Sequence, residues 1–228
     1  MGIYDLLDSL DLWERVMTDI PTELFYDYLA NMERFLEAEA RKLRETLEAT
    51  KRQMESGELT EPSCLGKMPV EIEAMEHLKY QLQQIKEFEN ILRKSFFVTI
   101  YAFLESRLLE DCRSQLSKRD DISLSLRDIG GHGIDKAKTC MKILKVPLDT
   151  SCSQWSEIQK YKQLRHCIVH NEGRLDEGFP DSKGLRSYVS ANPSLSLSPN
   201  GEIILSKDSC KEALDTVTMF LMPRLLVD

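Results

Sequence analysis

Glycine and proline are scarce in this chain, ten and eight among 228 residues. That argues against a turn-rich β scaffold, and abundant helix formers favour an all-α reading. No apolar run is long enough to span a bilayer. The longest, Phe96 to Leu104, is interrupted by Thr99, so no membrane segment is expected. No Cys-x-x-Cys pair occurs, and Cys64, Cys112, Cys140, Cys152, Cys167 and Cys210 are scattered. A reduced, cytoplasmic chain is the expectation. The first residues carry Asp5, Asp8 and Asp11 where a signal peptide has a basic region. Gly130, Gly131 and Gly133 follow no strand and precede no Gly-Lys-Ser/Thr, so they make no nucleotide loop. No repeat and no low-complexity tract is present.

Charge is abundant but unevenly spread. The net charge is -8. Residues 1–60 hold 14 acidic and 7 basic side chains, which accounts for most of it. From Gly130 to Arg174 eight basic residues face four acidic ones. A phosphate-bearing ligand suits that stretch, although a solvated mixed-charge face is an equally common use of such residues.

Periodicity sets the expected elements. Ile3 to Val16 reads as a short amphipathic helix, and Pro21 suits the first turn of the next, which runs to about Glu55. Gly57 to Pro69 is a loop. A long helix follows from about Val70 to Leu116, with a narrow apolar stripe first and a nearly all-apolar second half, hence a core helix. Glu105 lies within that apolar arc, and an isolated buried carboxylate is costly, so it needs solvent or a cation. Ile134 to Leu144 is a short helix. A further helix begins near Ser153 and stops at Gly173. Leu195–Ser198 and Glu202–Leu205 flank Asn200-Gly201 as a β-hairpin. Ser206 or Ser209 caps a last helix to about Leu226. The expected division is a helical extension over 1–69 and a helical domain over 70–228.

The chemistry concentrates on Leu164-Arg165-His166-Cys167-Ile168-Val169-His170-Asn171-Glu172-Gly173. Trp155, Ile158, Tyr161, Leu164 and Ile168 share one helical arc, and Arg165 falls inside it. An unpartnered guanidinium there is expensive, so facing arcs suggest a Glu105–Arg165 pair. His166 and His170 lie four apart on the other side, with Lys162 one turn earlier. Asn171 tolerates a left-handed helix end. The two histidines have zinc spacing, but no convincing third and fourth ligand accompanies them, so no metal and no cofactor is expected.

These residues resemble the HEPN superfamily. Its signature is an arginine, a polar residue that is commonly asparagine, three residues and a histidine, and Arg165 to His170 keeps that spacing. His166 departs from the commonest residue but stays polar. Glu172 stands where one toxin–antitoxin subgroup has a modified tyrosine. Tyr101-Ala102-Phe103-Leu104-Glu105, followed by Leu108 and Leu109, is similar to the core helix of bacterial members that carry a Leu-Glu pair. The resemblance implies an antiparallel helical bundle, with the hairpin as a small insertion. It also implies metal-independent endoribonuclease activity, a homodimer with two motifs in one cleft, and a toxin or defence role with an antitoxin-like partner. In that reading Arg165, His166 and His170 are catalytic, Glu105 and Asn171 support them, and Lys162 and Arg174 contact RNA. An imidazole has a reference pKa of about 6.5, near the optimum for proton transfer at neutral pH. A guanidinium holds phosphate and keeps its charge. The competing class is a non-catalytic helical module that dimerises or binds a partner.

Overall fold

The computed structural model describes residues 22–56, 70–119, 121, 123–176 and 178–225. The expected helix over Ile3–Val16, the Pro21 start and the loop from Gly57 to Pro69 lie outside the described residues. Six helices and one two-stranded sheet make up the described chain: α1 (Thr22–Glu55), α2 (Val70–Ser117), α3 (Gly133–Leu144), α4 (Ser153–Asn171), α5 (Ser182–Ala191), β1 (Leu195–Leu197), β2 (Ile203–Leu205) and α6 (Lys207–Leu225). The architecture is therefore all-α with a small hairpin. No helix among the described residues is long and apolar enough to cross a membrane.

Two compact units divide the chain. One is Asp27–Arg93; the other runs from Lys94 onward and includes the start of α1 as far as Tyr26. In the first, α1 buries Leu29, Met32, Glu33, Leu36 and Ala40, steps of three and four that mark one helical face. Beyond Ala40 no residue of α1 is buried. Glu33 accepts from Arg93 Nε at 2.8 Å and Nη2 at 2.7 Å, in a fork that ties α1 to α2.

The second unit holds the core. From Phe96 to Cys112, α2 buries residues on nearly every side: Phe96, Phe97, Ile100, Tyr101, Phe103, Leu104, Leu108, Leu109 and Cys112. Ile134, Ala137, Cys140, Met141 and Leu144 of α3 are buried too. Helix α4 adds Trp155, Ile158, Tyr161, Leu164 and Cys167. Phe97 meets Tyr161 edge-on at 5.4 Å, and Trp155 lies 5.5 Å from Phe220 of α6. These aromatic contacts lock α4 between α2 and α6. Phe25 packs against Phe103, and the Tyr26 hydroxyl donates to Asp215 at 2.8 Å.

Local chemistry sets the helix ends. The Cys152 sulfur accepts from the Trp155 amide at the start of α4. Ser206 caps α6 by accepting from the Ser209 amide. The hairpin register pairs Leu195 with Leu205 and Leu197 with Ile203. Its turn differs from a two-residue Asn-Gly turn. The Gly201 amide donates to the Ser198 carbonyl, and Gly201 alone is left-handed, at φ 75°. That is a type I turn closed by a glycine bulge. Helix α5, absent from the sequence reading, buries Leu185 and Val189 and bonds Tyr188 to Glu157 of α4.

Candidate functional site

One face of α4 opens onto a cavity of about 440 Å³. Helix α2 contributes Tyr101 and Glu105 to its wall, and the start of α3 contributes His132 and Asp135. From α4 come Gln159, Lys162, Gln163, Arg165 and His166; the turn before α5 adds Phe179, Pro180 and Asp181. The spacing of the α4 residues, at steps of three and four, explains why one helix supplies so many.

Arg165 is half-buried on this wall. Among the described residues no hydrogen bond or ion pair joins its guanidinium to a carboxylate, so the expected Glu105–Arg165 pair is not formed. Both side chains nevertheless face the same space. Glu105 instead lies against the first residue of α3. A Cβ added at Gly133 would sit 1.9 Å from Glu105 Oε1, and Gly133 has φ 51°. Only glycine admits both that backbone and that approach. The N-terminal end of α3 carries a partial positive charge that suits the carboxylate.

Lys162 forms an ion pair with Asp135, which holds α4 to α3. The Gln163 amide donates to Asp181 at 2.8 Å. Among the described residues, three buried polar atoms that belong to residues of this wall have no hydrogen-bond partner: the Tyr101 hydroxyl, Gln159 Nε2 and Gln163 Oε1. Burial, aided by Glu105 and Asp135 and opposed by Arg165, pushes the Tyr101 phenol well above its ordinary range, so it stays a neutral O–H.

His166 is exposed and stands at the rim. Its ring centroid is 5.5 Å from that of Phe179 and 4.7 Å from that of His170. His170 is exposed near the end of α4 and does not line the cavity. The helix stops just beyond. Glu172 and Gly173 are left-handed, at φ 54° and 78°, and the Gly173 amide closes the end on the Cys167 carbonyl. Asn171, which tolerates a left-handed end, stays helical. Its amide reaches the Arg174 carbonyl and Asp176, so the side chain ties down the following turn. Arg174 is exposed beyond the helix, with Glu172 at 3.8 Å, and is not on the cavity wall.

Lys94 holds this end from behind. Its ammonium donates to the Glu172 carbonyl at 3.0 Å and to Glu202 at 2.5 Å. A Cβ on Gly173 would come within 2.8 Å of that nitrogen. Glycine at 173 thus permits both the turn and the tether.

No family model, curated protein or solved structure matches the chain. The site is therefore read from its geometry.

Tyr101, Gln159, Gln163, Phe179, Asp181 and Lys94 were not singled out as site residues from sequence. A signal existed for some of them. Gln159, Lys162, Gln163, His166 and His170 form a polar stripe along α4, and Tyr101 precedes Glu105 by one turn. Among the described residues, no group of three or more His, Cys, Asp or Glu side chains could hold a metal ion.

Proposed function

We propose that the chain is a HEPN-type endoribonuclease that cleaves RNA by internal attack of the 2′-OH, without a metal. The observation that carries the reading is the make-up of one stretch of α4. The Arg165 guanidinium, with no ion pair to a carboxylate among the described residues, lines a cavity; the exposed His166 imidazole stands at its rim, and the exposed His170 imidazole lies just outside it, 4.7 Å from the His166 ring. RNA supplies its own nucleophile beside each phosphodiester. Arg165 binds the phosphate oxygens and offsets the charge that grows as the 2′-oxygen attacks phosphorus. His170 takes the 2′-OH proton, and His166 protonates the departing 5′-oxygen. The P–O5′ bond breaks as the P–O2′ bond forms, leaving a 2′,3′-cyclic phosphate. Glu105 and Asn171 act on geometry, the first beside Gly133 and the second through the turn after α4. Lys162 and Arg174 are the further cations for the RNA backbone.

Each chain offers one motif, with His170 outside the cavity that Arg165 lines. Two copies facing each other would gather two motifs into one cleft, so the homodimer is part of the proposal. A toxin or defence role, an antitoxin-like partner and a cytoplasmic setting follow from the same resemblance.

A second reading, a helical module that binds a partner or itself without catalysis, is favoured by one observation. Tyr28 and Phe35 on α1 are exposed, as are Tyr80, Phe88 and Ile91 on α2. Exposed large apolar side chains on helices suit a partner surface.

The two readings separate in one experiment. Purified protein is incubated with mixed RNA at pH 6–8, with and without EDTA, beside His170→Ala. The ribonuclease reading expects cleavage that EDTA spares and the variant loses. RNA that survives the wild-type protein throughout leaves the binding module. Cleavage abolished by EDTA would instead favour a metal held by His166 and His170.

A further inference from the structure

Native folds leave few buried polar atoms unpaired, because each loses its water without gaining a partner. Four such side-chain atoms occur among the described residues, and three belong to residues of the α4 cavity: Tyr101, Gln159 and Gln163. Tyr101 is only 3% exposed. Such clustering indicates groups arranged for a ligand rather than scattered defects.

Their chemistry narrows the ligand. Gln163 gives its NH₂ to Asp181, which leaves Oε1 as an acceptor. Gln159, one turn earlier, leaves Nε2 as a donor. A neutral donor and a neutral acceptor side by side match the edge of a nucleobase, not a carboxylate or a bare metal ion. Phe179 and His166 on the same wall offer ring faces for stacking. Arg165 supplies the cation for a phosphate. A volume of about 440 Å³ falls within the size of small-molecule sites.

We infer that the cavity takes up one unstacked nucleotide of a single-stranded RNA, reading its base with Gln159, Gln163 and Tyr101 and holding its phosphate on Arg165. This rests on the ribonuclease reading and adds base selectivity to it. Cleavage should fall next to one preferred nucleotide, because a donor–acceptor pair rejects bases whose edge presents the wrong pattern.

The test titrates the full chain with each of the four nucleoside 5′-monophosphates by calorimetry, beside RNA cleavage. The expected result is saturable binding, with one nucleotide about tenfold or more tighter than the others. Gln159→Met and Tyr101→Phe should each weaken it by about tenfold. Tyr101→Phe removes a hydroxyl that is unbonded in the free protein, so it should melt at or above wild type, which separates lost binding from lost folding. His170→Ala should lose cleavage and keep nucleotide binding. Absence of saturable binding for all four nucleotides, or equal binding that neither variant weakens, overturns the inference. Intact cleavage without nucleotide binding sinks the base site alone. Nucleotide binding with RNA left uncut keeps the cavity as a nucleotide site and sinks the ribonuclease reading.

Discussion

Replacing Lys94 by Met would keep the apolar stem and remove the ammonium that holds the end of α4. That ammonium donates to the Glu172 carbonyl at 3.0 Å and to Glu202 at 2.5 Å, and the Lys94 side chain is 11% exposed. A hydrogen bond to a charged group contributes about 1.5–3 kcal/mol. The Glu202 side chain is 37% exposed and regains water when its partner is lost, so its share is discounted. The expected cost is about 2–3 kcal/mol, and for a chain of this size the melting temperature should fall by roughly 4–12 °C. Thermal unfolding followed by circular dichroism measures it. Glu202→Gln and the double variant complete a cycle that isolates the pair. Hydrogen exchange should also quicken at the Gly173 amide, whose bond to the Cys167 carbonyl closes the helix. A loss below about 0.5 kcal/mol, the range of an ordinary surface change, would refute the tether.

Two further outcomes follow from other contacts. Glu33→Ala removes the forked partner of Arg93 in the Asp27–Arg93 unit while Glu89 stays 3.6 Å from the guanidinium, and should destabilise the chain by about 1–3 kcal/mol in urea unfolding; a change under about 0.5 kcal/mol would show that solvent already screens the fork. Burial pushes the Cys167 thiol up to about 11, with Lys94 drawing it down and Asp176 raising it. The folded pKa exceeds the unfolded one, so this contribution is complete below about 8.5 and is lost as pH rises towards about 11. Against Cys167→Ala, the wild type should therefore lose more melting temperature across that window; parallel pH curves would contradict it.

Much of the backbone was legible because it follows from periodicity. The span of α2, the start of α4, the hairpin strands and the Ser206 cap all come from local rules. Helix α5 did not. It contains Gly184 and three serines, and only Leu185 and Val189 are buried, too short a pattern to read against the turn that precedes it. Left-handed Asp181 at its start is held by a close approach, since a Cβ on Gly184 would lie 2.6 Å from the Asp181 carboxylate. Such an approach has no linear signature.

The site was legible as a list and not as an arrangement. Arg165 and Glu105 were placed on facing arcs, and both do line one cavity, but sequence could not tell a shared space from an ion pair. What separates the two is Gly133, 28 residues beyond Glu105, whose missing side chain lets the carboxylate rest on α3. Gln159 and Gln163 look like solvent-facing residues in the helical pattern. Their buried atoms depend on surroundings that include the turn at Phe179–Asp181, distant from α2 in sequence.

That arrangement also gives the His166 ring contacts that a smaller polar side chain would lack. Its ring lies 5.5 Å from Phe179 on the cavity side and 4.7 Å from His170 on the helix-end side. An asparagine would keep a polar group but lose both ring contacts. Under the proposed nucleotide site, the flat His166 ring would stack on the base held in the cavity. Helix α4 sets the spacing of Arg165, His166 and His170, and Lys94 fixes the end from which His170 projects. Binding and proton transfer would then be coupled through the side-chain conformation of one residue. Loss of the His166 ring should weaken that coupling even where Arg165 and His170 are intact.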